Sequence, residues 1–153
     1  MEPNTTLRLD RMELKNFRCF ADCVLDLDPI LTVLVADNAQ GKTALLNGIS
    51  IALEVFVASA IPGKHSHGFD RTDIHRLRVG EKEMVPAPMV TFVAEGIVDG
   101  ETLQWGRSLS SHTLLARSST KDMKKMRAAA ERLVAGLSNA DANEPVTDLR
   151  CSH

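Results

Sequence analysis

The sequence predicts an α/β fold, and three observations carry that prediction. A branched, apolar run from Ile30 to Val35 leads straight into Ala36-Asp37-Asn38-Ala39-Gln40-Gly41-Lys42-Thr43. Behind that loop, Leu45, Leu46, Ile49, Leu53 and Phe56 recur at three- and four-residue spacing, the period of one helix face. On either side of this order lie period-two stretches joined by turn residues, which read as antiparallel hairpins. The 153 residues, 44% hydrophobic and 25% charged, make one domain of ordinary globular composition. That argues against disorder, collagen and coiled coil.

Taken in order, Leu7 and Leu9 share one phase of alternation and Met12 and Leu14 the other, with the switch at Asp10-Arg11. A strand is predicted from about Leu9 to Phe17 and a second from about Cys23 to Leu27, ended by Pro29 and able to pair with the first. Ile30 to Val35, apolar apart from Thr32, is predicted as a strand buried on both faces of a sheet. Lys42 to about Ala58 is the amphipathic helix. Pro62, Gly63, His65, His67 and Gly68 mark a loop, and the charged stretch Asp70 to Glu83 is expected to face solvent. Met89 to Val98 and Glu101 to Leu109 flank Asp99-Gly100, a tight-turn dipeptide, giving a hairpin over about 89–109. A Ser- and Thr-rich stretch follows, then good helix formers with apolar Met123, Met126, Ala130, Leu133 and Leu137, so a helix is predicted over about 121–137.

Gly41-Lys42-Thr43 matches the last three positions of a phosphate-binding loop, with alanine where the pattern begins with glycine. Its context strengthens the match: a strand ends at the loop and a helix opens at the lysine, so backbone N–H groups and the helix dipole converge on an anion. In this arrangement Lys42 sits against the β- and γ-phosphates, Thr43 ligates magnesium, and Gly41 lets the backbone approach closely. The bland reading of the same residues is a Gly-Lys-Thr helix start with no ligand.

Leu14-Lys15-Asn16-Phe17-Arg18-Cys19-Phe20, followed by Asp37-Asn38-Ala39-Gln40-Gly41-Lys42-Thr43-Ala44-Leu45-Leu46, resembles the start of RecF-like and SMC-like ATPases, which are ABC-type heads with a P-loop NTPase fold. Within that group the chain looks closest to bacterial ATP-binding proteins of RecF type, some linked to virulence or phage defence. The resemblance implies ATP and Mg2+ as cofactors. It implies a nucleotide site made by Arg18, Asn38, Ala39, Gln40, Gly41, Lys42, Thr43 and Ala44, with Thr43 on the metal, and it names a homodimer through the head and DNA as candidate partners. The family pattern has glycine at the positions of Ala36 and Ala39. If either position needs positive φ, alanine there costs on the order of 1 kcal/mol or more.

The sequence shows no later apolar strand ending in paired acids, no signature serine-glycine segment and no switch-histidine region. It therefore reads as the N-terminal, truncated portion of a head, a partial ATP-binding domain over 1–153 with its phosphate loop at 36–43. Hydrolysis is expected to need residues from elsewhere, since nothing recognisable here would position the attacking water. A catalytically inactive remnant or interaction module is the competing reading, favoured by Ala36 and Ala39. A guanine-nucleotide switch ranks last because no base-reading motif follows the loop.

His65, His67, Asp70, Asp73 and His75 match no established metal spacing, and no metal beyond magnesium is expected. Arg117, Lys121, Lys124, Lys125, Arg127 and Arg132 form a basic segment that could meet a phosphate backbone if the charges share a face. Serines and histidines show no triad order, and Trp105 reads as a packing residue. Eighteen basic against twenty acidic residues set no global demand for a polyanion. No apolar run is long enough for a membrane span, the N-terminus is unlike a signal peptide, and Cys19, Cys23 and Cys151 make no disulfide framework, so a cytoplasmic location is expected. A head that stops early leaves apolar surface open, so weak solubility or dependence on a partner is expected.

Overall fold

The first strand resolves the phase switch noted at Asp10-Arg11. In the computed structural model β1 (Leu7–Phe17) pairs Leu9 with Gly96 and Arg11 with Glu95, so one residue is extra between them. This is a β-bulge, and it returns the apolar set to the same face: Leu9, Met12 and Leu14 are all buried. A second departure follows at Asn16, whose φ is 54°, a left-handed value that asparagine tolerates better than most residues. It turns Phe17 inward as well, to 0% exposure. A side chain at Gly96 would run into the Arg8 carbonyl oxygen, so the bulge requires glycine opposite it.

The structure describes residues 7–35, 37, 41–61, 68–113, 116–119 and 122–141. β2 (Phe20–Asp26) returns antiparallel to β1 with Met12 opposite Leu25, as the hairpin reading expected. α1 runs Lys42–Ala60. A single 3-10 turn, Arg71–Asp73, precedes β3 (Arg76–Val79) and β4 (Glu83–Pro86), which pair as a separate ribbon. β5 (Met89–Val98) and β6 (Glu101–Ser110) form the expected hairpin around Asp99 and Gly100, with φ of 54° and 80°. β7 (Ala116–Ser119) adds to β6, and α2 runs Met123–Asp141. The main sheet has the order β2-β1-β5-β6-β7 and is antiparallel throughout.

α1 lies on the buried face of this sheet. Gly48 makes the approach close, since a Cβ there would stand 3.0 Å from a Leu14 methyl. Trp105 fills the space opposite small Ala94, is 1% exposed, and donates its Nε1–H to the Ala52 carbonyl of α1 at 3.0 Å. α2 closes the other side of α1 with Met126, Ala129 and Ala130.

Two expectations are corrected. Ile30 to Val35 is not a buried strand: it carries no ladder, and Ile30, Val33 and Val35 are 93%, 68% and 88% exposed. A strand needs neighbours to satisfy its backbone and cover its side chains, and the described residues supply none at this position. An Asx-type turn holds the start of the segment. Asp28 Oδ1 accepts from the N–H groups of Ile30 and Leu31 at 2.8 and 3.1 Å, and these bonds hold its carboxyl below the usual carboxylate range.

The second correction concerns α1. The stripe read from the sequence puts only Phe56 deep in the core; Leu45, Ile49 and Leu53 are half-buried and Leu46 is 56% exposed. The face toward the sheet and α2 is Ala44, Gly48, Ile51, Ala52 and Val55. α1 carries apolar side chains on two faces, beside a polar stripe of Thr43, Asn47, Ser50 and Glu54. On its open side Leu46, Ile49, Leu53 and Val57, with polar Ser50 and Glu54 among them, line a groove of about 510 Å³.

Candidate nucleotide site

The site is assembled where the β1–β2 turn meets the start of α1. Phe17 and Phe20 close a two-residue turn of Arg18 and Cys19, with Arg18 at φ 49°. This turn lies on Gly41, the N-cap of α1, whose own φ is 88°. A Cβ at Gly41 would stand 2.7 Å from Cys19 Sγ and 2.7 Å from the Phe20 ring. Positive φ and close approach together leave glycine as the residue that fits.

Beyond Gly41 the first turn of α1 has no side-chain cap and no acidic residue. The N–H groups of that turn have no partner within the helix and point out with the positive end of the dipole. Lys42 Nζ folds back to the Asp37 carbonyl at 2.9 Å. Thr43 is exposed, while the Ala44 methyl is buried at 7% exposure, so only the backbone of Ala44 faces outward. Asn38, Ala39 and Gln40 lie outside the described residues, as does Ala36.

Most of the stretch expected to face solvent is exposed, but Asp73, Ile74 and His75 within it brace this turn. Asp73 and Ile74 are 3% and 6% exposed. Residues 73–75 run alongside 16–18 through Arg18 N–H to the Asp73 carbonyl at 2.7 Å and His75 N–H to the Asn16 carbonyl at 2.8 Å. Phe17 and Ile74 form the bridge between them, and His75 Nδ1 lies 2.5 Å from the Arg18 carbonyl. The Arg18 guanidinium donates from Nε to Asp73 Oδ1 at 2.8 Å and sits 5.4 Å from the centre of the Phe17 ring. Asn47, one turn beyond Thr43, presents its amide oxygen to the far end of the same guanidinium, 3.1 Å from Nη2 and also against Nη1.

Beside Arg18 a groove of about 730 Å³ opens, lined among others by Arg71, Ile74, His75, Arg76 and Met84. Its lining carries three arginines and no carboxylate. Sequence reading missed Asp73, Asn47, His75 and this groove. A lone isoleucine inside a charged stretch was the available signal for Asp73-Ile74.

An AAA domain profile matches residues 11–138, most of the chain. The chain belongs to the AAA domain family. Three similar proteins match shorter stretches of the chain. The DNA double-strand break repair Rad50 ATPase of Halobacterium salinarum is 43% identical over 47 residues, 31% of this chain and 5% of that protein. The DNA replication and repair protein RecF of Lactococcus lactis is 46% identical over 43 residues, 28% of this chain and 12% of that protein. The OLD nuclease of Thermus scotoductus is 47% identical over 45 residues, 29% of this chain and 8% of that protein. The matched stretch thus spans an eighth or less of each relative.

This AAA domain is RecF- and SMC-like, and its mixed architecture is that of an N-terminal portion of an ABC-type P-loop ATPase fold.

The other candidates fall out as follows. Lys124, Lys125, Arg127 and Arg132 are exposed on α2, but Lys125 pairs with Glu101 at 3.0 Å and Arg132 with Asp99, so two of the four are tied to the β5–β6 turn. The Arg117 side chain and Lys121 lie outside the described residues. So do His65 and His67, and among the described residues no group of three metal-ligating side chains gathers. Among them, too, no helix is long and apolar enough to cross a membrane. Arg107 lies on the core-facing side of β6, where burial lowers its pKa and Glu54 opposes that shift.

Proposed function

We propose that this AAA domain binds Mg-ATP, with the phosphates over the first turn of α1 and the base and ribose in the groove beside Arg18. The observation that carries the reading is an uncapped helix start at Gly41 with the Lys42 ammonium beside it, and the Arg18 guanidinium set against Asn47 further along the same helix. Each supplies hydrogen-bond donors, and charge-assisted bonds to phosphate oxygens are the strong kind. Thr43 fits a magnesium ligand, since its hydroxyl is on the exposed first turn. Bound magnesium would screen the phosphate charge there.

The wider reading is part of a RecF- or SMC-like ATPase in the cytoplasm, acting in phage defence or in DNA metabolism, of which the names of the similar proteins support the latter. Hydrolysis, a homodimer of heads and DNA contact belong to that whole. Ile30 to Val35 and the open side of α1 are, in this reading, covered by polypeptide outside this chain, which the exposed apolar side chains support.

Cys19 gives a direct test. Its thiol is exposed against Gly41, whereas Cys23 is half-buried and burial pushes its thiol pKa up. Alkylation of Cys19, followed by peptide mass spectrometry, is expected to slow severalfold on adding Mg-ATP, with Cys23 unaffected. An unchanged Cys19 rate at millimolar Mg-ATP would leave the interaction-module reading in its place.

A further inference from the structure

Arg18 can serve a phosphate only if its guanidinium is held in place beside α1, and the residues that hold it come from two other elements. We infer that Asp73, together with Asn47, is the positioning pair for Arg18 in the nucleotide site, an inference that rests on the nucleotide reading above. Asp73 is the one buried charged side chain among the described residues. Its Oδ1 takes the Arg18 Nε–H, its Oδ2 takes the Asp70 N–H at 2.8 Å, and its carbonyl takes the Arg18 N–H. No freedom is left in that carboxylate, so the arginine it binds is aimed by the fold.

The donor count follows. A guanidinium has five N–H groups in a fixed fork. Asp73 takes the Nε–H, and Asn47 faces one N–H on each Nη. Two remain, one on each Nη, at the outer edges of the fork on either side of the Asn47 contact. A phosphate meeting a fork already aligned does not meet the full cost of freezing a long side chain. Asp73 and Asn47 touch no nucleotide in this scheme and act through Arg18.

The test is Mg-ATP titration of the full 153-residue chain as wild type, Arg18→Ala, Asp73→Asn, Asn47→Ala and the two double variants with Arg18→Ala, with folding checked by circular dichroism. Asp73→Asn and Asn47→Ala are each expected to weaken binding roughly tenfold, the scale of one charge-assisted bond, and to have no further effect once Arg18 is alanine. Millimolar guanidinium is expected to restore binding to Arg18→Ala but not to Arg18→Ala/Asp73→Asn, because only the carboxylate seats the ion. Asn47→Ala, at a half-buried helix position outside the core, carries the test if Asp73→Asn fails to fold. Additive losses in the double variants, with no rescue, would make Asp73 and Asn47 structural and overturn the inference. A wild type that binds and loses binding with Lys42→Ala, yet is indifferent to Arg18→Ala, overturns this inference alone. A folded wild type that binds no ATP overturns both readings.

Discussion

Replacing Lys42 by alanine is expected to remove most Mg-ATP binding while leaving the fold intact. The ammonium already lies at the mouth of the loop, bonded to the Asp37 carbonyl at 2.9 Å, and alanine is a better helix former than lysine at the first helical position. A hydrogen bond to a charged group contributes about 1.5–3 kcal/mol, so the affinity should fall about 10- to 100-fold. Isothermal titration of wild type and variant, at matched thermal midpoints, measures it. Equal affinities would show that any nucleotide bound does not use this loop. Lys42→Arg is a useful third protein, because a planar fork does not replace a point charge inside a tight loop.

Trp105→Ala is the substitution expected to cost most in stability. Its ring is one of the largest side chains in the core, it is 1% exposed, and it joins the sheet to α1 both by packing and by its bond to Ala52. Truncating a buried Trp costs about 3–5 kcal/mol, a large part of the roughly 5–15 kcal/mol by which domains are stable. Urea unfolding followed by circular dichroism should show the midpoint falling with little change in slope. Trp105→Phe separates the two contributions, since it keeps most of the packing and loses the N–H. A loss below about 1 kcal/mol for the alanine variant would contradict the central place given to Trp105.

What the sequence made legible was local. The Asp10-Arg11 phase switch is the bulge, the Asp99-Gly100 turn is where the pattern put it, and α1 and α2 begin within two residues of their predicted starts. What it hid depended on partners. Ile30 to Val35 has the composition of a buried strand, but composition does not say which chain segment buries it. α1 carries apolar residues both on its inward face and on its open side, so periodicity could not choose between them. Asp73 reaches Arg18 across 55 positions, and nothing in a charged stretch marks which acid is taken into the interior.

The contacts between α2 and the β5–β6 turn set how firmly that helix is held. Apart from Met126, the α2 residues buried against α1 include two alanines, which bury little area, and the Lys125–Glu101 and Arg132–Asp99 pairs sit largely in solvent. Exposed pairs contribute little and weaken as salt screens them. The β1–β5–β6 ladder, closed by Trp105, is held mainly by backbone bonds and packing, with exposed pairs at Arg8 and Arg11. Ionic strength is therefore a dial on α2 more than on α1, and in hydrogen exchange α2 would be the first helix to lose protection as salt rises.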